Sequence, residues 1–301
     1  MCESLLVPTD GSPTADRAAA HALALARAFD AAVTVLGVVD HEDGAGSFDA
    51  ERAVEAVARR AERLAVDTLV VDGDPAEAIV DRAAAHDLVV LGTRGRSVVG
   101  RALVGSTSVR VVRDSPVPVV TVGGVDARTG AEAEGDTGTD DWAAIDYDDV
   151  LVPTDGSDAA EVAVDHGIAV ADAFDATLHA VSVVDVGAVA GGAGVTLGSE
   201  TGVETGDLLE PMIDRGEAAT DRVAERARAA ELAVETTVIE GSPGPSLVAY
   251  VEEVPVDFVA MGTHGHTGLD RVLLGSTTER LMRNVAVPVL SVRESDDDAT
   301  E

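Results

Sequence analysis

Short apolar runs recur along the chain without polar alternation, each followed by a longer stretch with helical spacing. LLVP (5–8), VTVLGVV (33–39), TLVV (68–71), LVVLG (88–92) and VPVVTV (117–122) are five such runs. Runs of this kind read as strands covered on both faces, with no solvent side for polar residues to line. Between the first two, Ser12 and Pro13 offer an N-cap and a first-turn residue for a helix to about Phe29. ERAVEAVARRAERL (51–64) is a second helix, and Asp74 with Pro75 starts a third that runs to about His86. SVRVVRD (108–114) is a fourth. Strand and helix alternate throughout, which predicts an α/β domain: βαβ units building a parallel, doubly wound sheet with helices on both faces.

The pattern then repeats. Residues 5–40 align with 150–185 at a displacement of 145, superposing VPTDGS without a mismatch and carrying His21 onto His166. Further on the displacement becomes 170, and LGTRGRSVVGRALVGSTSVRVVRDSPVPVVTV (91–122) overlays MGTHGHTGLDRVLLGSTTERLMRNVAVPVLSV (261–292). The extra residues of the second copy fall mostly within 186–206. Two homologous domains are therefore expected, at 1–124 and 148–294. Residues 125–147, rich in Gly, Ala, Thr and acids, read as a solvated tether, and 295–301 as an acidic tail.

Composition sharpens this picture. Apolar residues are 46% of the 301, but only seven are aromatic, so the cores are built from Ala, Val and Leu. There are 55 acidic residues against 21 basic ones, all arginine, for a net charge of −34. That self-repulsion is screened in concentrated salt, so the surface reads as fitted to a very salty cytoplasm. The chain lacks the basic patch and stacking platform that nucleic-acid binding needs. One cysteine, Cys2, permits no intramolecular disulfide. No signal-peptide pattern and no run near the ~20 apolar residues of a bilayer span are present, so a soluble, cytoplasmic protein without membrane partners is expected.

Open α/β sheets bind ligands beyond the carboxyl ends of their strands, where strand order reverses. Only the loops after the first and fourth strands carry distinctive chemistry. That favours strand order 3-2-1-4-5 over 2-1-3-4-5, because it sets both loops on one crevice. After strand one comes Pro8-Thr9-Asp10-Gly11-Ser12, repeated as Pro153-Thr154-Asp155-Gly156-Ser157. Asp10 and Asp155 are either ligand carboxylates, accepting from a ribose hydroxyl or an adenine amine, or Asx-turn residues at a helix start. After strand four, Gly92-x2-Gly95-x9-Gly105-Ser106 is matched by Gly262-x2-Gly265-x9-Gly275-Ser276. Glycines let backbone amides turn toward an anion, and Gly105-Ser106-Thr107 opens a helix whose free amides suit phosphate. The same glycines could be turn residues alone. Neither a Walker A loop nor a dinucleotide fingerprint is present, and no lysine exists to reach a phosphate. Arg94, Arg96 and Arg101, with His264, His266 and Arg271, are the candidate cations, Arg101 and Arg271 corresponding to each other. His21 and His166 sit on an Ala-rich helix without metal-ligand spacing and read as structural. No catalytic constellation is evident.

The strand-tip Asp, Gly-x2-Gly-x9-Gly-Ser and the closing Val-Pro-Val strand resemble the universal stress protein (UspA) family, over about 5–122 and 150–292. The resemblance implies two tandem Rossmann-like (adenine nucleotide alpha hydrolase-like) domains, each a five-stranded parallel sheet of order 3-2-1-4-5. It further implies a stress-response role and the binding of ATP, or another adenine nucleotide, with Mg2+ as the accompanying ion. On it, Asp10 and Asp155 would touch adenosine and Val39 and Val184 would lie near the base. Gly92, Gly95, Gly105, Ser106 and Thr107, with Gly262, Gly265, Gly275, Ser276 and Thr277, would hold the phosphates. Members dimerise through the last strand, so residues 116–122 and 286–292 would pair within one chain as a pseudo-dimer, with a homodimer also open. The charge balance adds the expectation of a halophilic archaeal source. A regulatory nucleotide binder is expected, against a nucleotide-free structural or chaperone-like protein or a weak ATPase.

Overall fold

The computed structural model describes residues 2–40, 49–93, 104–123, 145–187, 205–263 and 274–293. In the first half, β1 (Ser4–Thr9), α1 (Pro13–Phe29), β2 (Ala32–Val39), α2 (Ala50–Arg60), β3 (Val66–Asp72), α3 (Pro75–Ala83), β4 (Leu88–Gly92), α4 (Ser106–Asp114) and β5 (Val119–Val122) follow in order. The second half repeats them as β6 (Asp149–Pro153), α5 (Asp158–Phe174), β7 (Thr177–Val184), α6 (Thr205–Ala229), β8 (Val234–Glu240), α7 (Pro243–Glu253), β9 (Phe258–Gly262), α8 (Ser276–Asn284) and β10 (Val289–Val292). Strand order is β3-β2-β1-β4-β5 in one half and β8-β7-β6-β9-β10 in the other, the expected 3-2-1-4-5 twice over. Within each half the pairs are parallel.

The halves meet at β5 and β10, which pair antiparallel with Val289 opposite Thr121 and Ser291 opposite Val119. One ten-stranded sheet results. All four residues of each joining strand are buried. The chain closes tightly around this seam: a Cβ on Gly123 would stand 2.7 Å from the Val285 carbonyl oxygen. From the other half, the Arg293 guanidinium donates to the Arg113 carbonyl at the end of α4, at 2.6 Å.

Each face of the sheet carries one core. Ala18, Leu23, Val54, Ala163, Val164, Val223 and Ala227 bury α1, α2, α5 and α6 on one side. Ile79, Val111, Leu247 and Leu281 bury α3, α4, α7 and α8 on the other. Side chains this small let helices lie close to the sheet: Gly167 of α5 rests on β6, where an added Cβ would meet Val152 Cγ2 at 2.4 Å. The amino ends of the strands are stitched in both halves by a carboxylate that spans two amides. Asp87 accepts from the Glu3 and Ser4 amides at 2.8 and 2.9 Å, and Asp257 from those of Asp148 and Asp149 at 3.1 and 3.2 Å.

The tether reading overshoots at its end. Tyr147 is buried to 1% exposure, packed between Phe174 and Phe258 at ring-centroid distances of 4.6 and 5.0 Å. Its hydroxyl lies 2.9 Å from His21 Nδ1, so the second domain's edge is bonded to α1 of the first. A phenol buried this deeply needs a polar partner for its oxygen, and His21 supplies it. His166, the matching histidine, instead turns its Nδ1 to the Val162 carbonyl of its own helix, at 3.0 Å.

Two predictions follow from these contacts. Burial, with the nearby Arg17 charge, pushes the His21 pKa down to about 3. A histidine held neutral contributes stability above its unfolded value near 6.5, and that contribution falls away as pH drops from there toward 3. His21→Gln keeps a hydrogen-bonding group without titrating. The fall in unfolding free energy over this window is expected to be shallower in the variant, by up to about 1.4 kcal/mol per pH unit. One proton sets this slope, so the figure is a ceiling; urea titrations at several pH values measure it. The second prediction concerns α7. Arg110 grips Asp74, the N-cap of α3, at 2.9 and 3.0 Å, whereas its counterpart Arg280 lies beside Gly244 near Ser242, a cap without a side-chain bond. Ser242→Asp is expected to add about 0.5–1 kcal/mol to unfolding stability in low salt, less as salt rises, because the pair is exposed.

Candidate functional site

At the carboxyl edge of each half, β1 lies beside β4 and β6 beside β9 although helices and strands intervene in sequence. Leu5 is opposite Leu88 and Leu6 opposite Val89; Val150 is opposite Phe258 and Leu151 opposite Val259. Carried forward at the same step, these registers set Thr9 level with Gly92 and Thr154 level with Gly262. The loops holding Asp10 and Asp155 thus emerge next to the ends of β4 and β9, where sheet order reverses.

Both first loops are built identically. Gly11 and Gly156 adopt φ of 69° and 74°, a left-handed turn that other residues resist. Their amides donate to the Thr9 and Thr154 hydroxyls at 3.2 and 3.1 Å. Asp10 Oδ1 accepts from the Ser12 amide and Asp155 Oδ1 from the Ser157 amide, each at 3.0 Å. Ser12 and Ser157 in turn cap α1 and α5 through the Ala15 and Ala160 amides. The Asx-turn alternative therefore describes one oxygen of each carboxylate. Asp10 is half-buried and Asp155 exposed at the crevice.

The second loops are tied to the sheet by threonines that spacing alone did not single out. The Thr93 and Thr263 amides donate to the Val122 and Val292 carbonyls, and their own carbonyls accept from the Gly105 and Gly275 amides at 2.7 and 2.9 Å. The Ser108 and Thr278 hydroxyls donate to the Gly92 and Gly262 carbonyls at 2.8 and 3.1 Å. Those bonds pin the first turns of α4 and α8 behind the strand ends. Neither helix has a side-chain N-cap bond, unlike α1, α2, α3 and α5, whose Ser or Asp caps accept an amide. Ser106 and Ser276 are exposed at these uncapped ends, with Thr107 and Thr277 half-buried beside them. Two helix N-termini without a side-chain cap bond, each with adjacent hydroxyls, present partial positive charge to the crevice, chemistry that suits an anion.

Close packing also claims the glycines. A Cβ on Gly92 would stand 2.9 Å from the Thr14 carbonyl oxygen in α1's first turn, and one on Gly275 would stand 2.6 Å from the Thr263 carbonyl oxygen. These contacts bring loop one, strand four and the next helix together. Val39 and Val184 end the neighbouring strands, their carbonyls accepting from Gly73 and Gly241 at 3.1 and 2.9 Å; Val184 is buried and Val39 half-buried. Gly95, Gly265, Arg94, Arg96, Arg101, His264, His266 and Arg271 lie outside the described residues, as do most of 186–206, 295–301 and 124–144 of the tether.

A cleft of about 470 Å³ lies elsewhere, between α1 and α5, lined by Ala24, Arg27, Asp146, Asp172, Phe174 and Asp175 among others. It is away from the carboxyl ends of the strands. Among the described residues no group of three or more His, Cys, Asp or Glu could hold a metal, and no helix is long and apolar enough to cross a membrane.

The model described as "Universal stress protein family" matches residues 1–123 and 146–293. Universal stress protein MJ0531 of Methanocaldococcus jannaschii is 36% identical over 148 residues, covering 49% of this chain and 83% of that protein. A universal stress protein of Mycolicibacterium smegmatis is 30% identical over 234 residues, covering 76% of this chain and 69% of its own length. The crystal structure of a universal stress protein from Archaeoglobus fulgidus shares the fold, with a TM-score of 0.62 at 24% identity over 98% of this chain and 97% of that one. Two consecutive family matches, each ending on the strand that joins the sheets, make this chain a member of the universal stress protein family.

Proposed function

We propose that each domain binds an adenine nucleotide in its crevice, and that occupancy regulates the protein rather than committing it to strong catalysis. The observation carrying this reading is the duplicated placement of an uncapped helix N-terminus behind a Gly-Thr strand end, beside an Asp-Gly turn. Phosphate would lie at the Ser106–Thr107 and Ser276–Thr277 amides and hydroxyls, Gly92 and Gly262 allowing close approach, with Gly95 and Gly265 completing the loops. Asp10 and Asp155 would face the ribose or base, and Val39 and Val184 would flank the base. ATP with Mg2+ is the ligand of choice on the family resemblance.

The β5–β10 seam would serve as an internal pseudo-dimer interface, with domains near 1–124 and 148–294. A salt-rich cytoplasm of a halophilic archaeon fits the −34 charge.

A second reading, a nucleotide-free structural protein, has one observation in its favour. The contacts at Gly92 and Gly275 give those glycines a packing role whatever binds. Gly275→Ala is accordingly expected to cost about 1–3 kcal/mol of stability, so glycine variants do not separate the readings.

Asp10→Ala and Asp155→Ala do separate them. Calorimetric titration of the full chain with Mg-ATP in molar KCl is expected to show binding that falls about tenfold or more at one site in each single variant and at both in the double variant, the scale of a lost charge-assisted hydrogen bond. No binding by the unsubstituted chain would decide for the structural reading.

A further inference from the structure

In the second crevice a positive charge comes from a residue outside the Asp-Gly turn and the glycine loop. In the second domain the Asp155–Gly156 turn is overlaid by the side chain of Arg222 from α6. Its Nη2 stands 2.8 Å from where a Cβ on Gly156 would be, with Ala219 Cβ at 3.4 Å. Gly156 therefore does two things: it adopts the left-handed turn, and its bare Cα admits a guanidinium onto the loop.

The base of Arg222 is fixed and its head is not. Ala219 and Val223, on either side in α6, are buried to 1% and 0% exposure. The Arg222 side chain itself is half exposed, and its Nε reaches Glu161 Oε1 only at 3.5 Å. The stronger partner of Glu161 is Arg226, whose Nη1 lies 2.9 Å from Oε2 and which also pairs with Asp165. The α5–α6 junction is thus held by Arg226, leaving Arg222 loosely held at the crevice mouth.

Around that mouth stand acids: Asp155 itself, Asp158, Glu161 and, past β7, Asp185. A polyanion approaching a protein of charge −34 meets repulsion unless a local cation offsets it. A guanidinium is always charged, presents a planar set of donors and matches phosphate oxygens two at a time.

We propose that Arg222 is a ligand-contacting residue of the second site, holding a phosphate group of the bound nucleotide from the α6 side, over the Asp155–Gly156 turn. The inference rests on the nucleotide reading above and adds to it a residue that sets that site's affinity. Glu161 is a positioning residue that keeps the guanidinium near the turn between binding events.

The test uses the full chain carrying Asp10→Ala, which weakens the first site, titrated with Mg-ATP in molar KCl. Arg222→Gln is expected to weaken binding about tenfold, the scale of one charge-assisted contact. Arg222→Lys is expected to fall between it and the parent. Arg226→Gln serves as the structural control: it is expected to lower the thermal midpoint at least as much as Arg222→Gln while leaving affinity within twofold. Affinity of Arg222→Gln within twofold of the parent, with the parent binding, overturns this inference alone. Equal weakening by Arg226→Gln overturns it too, because the effect would then be the α5–α6 junction. Absence of Mg-ATP binding in the unsubstituted chain overturns both this inference and the nucleotide reading.

Discussion

Everything in this molecule is arranged around one backbone pairing, the antiparallel ladder between β5 and β10. A four-residue strand of Val and Thr at the edge of a parallel sheet exposes a row of unpaired amides and carbonyls, a template for uncontrolled association. Here each such edge satisfies the other. The remaining edges, β3 and β8, carry Asp67, Asp72, Glu235 and Glu240, charges that discourage further pairing. Because the joining strands run in opposite directions, the carboxyl edges of the two halves point opposite ways. The two crevices therefore open on opposite edges of one continuous sheet.

The core explains how crevices of this kind are held open. Parallel strands covered on both faces need helices at close range, and Ala-rich surfaces with Gly167 allow it. At the strand ends the same closeness becomes specific: Gly92 meets a carbonyl of α1, and the Ser108 hydroxyl returns to the Gly92 carbonyl. Polar groups that would otherwise be stranded at the end of a buried strand are consumed by the first turn of the following helix. The N-termini of α4 and α8, which have no side-chain cap bond, lie at the same strand ends.

Duplication has not kept the copies equal. Cys2, its thiol pushed up to about 11 chiefly by burial, stands in the first copy where the second has Tyr147. Thr34 corresponds to His179, whose Nε2 lies 2.7 Å from Asp149 Oδ1 and whose Nδ1 lies 3.1 Å from the Tyr250 hydroxyl, a buried polar cluster lacking in the first domain's matching positions. Asp74 corresponds to Ser242, so an ion pair at one α3-type cap is absent from the other. Each change sits away from the Asp-Gly turn and the Gly-Thr strand end, which both copies keep. Divergence has fallen on packing and charge around a shared crevice.

The sequence by itself determined the elements, their order and the two-fold repetition, because apolar runs, capping residues and repeated loops are local signals. It also marked Asp10, Gly92 and Gly105 with their second-copy partners, since each turn needs its residue type wherever the rest of the chain goes. Thr93 and Thr263 were visible only as a repeated letter between glycines; their role as anchors depends on which carbonyl lies across the sheet. Tyr147 reads as tether because an acidic, Gly-rich stretch precedes it, and only the meeting of Phe174, Phe258 and His21 makes it core. Arg222 carries no local signal at all. Its place over Gly156 is decided by the register of α6 against α5, which is set by Ala219 and Val223 reaching the sheet, a long-range contact no sequence spacing encodes.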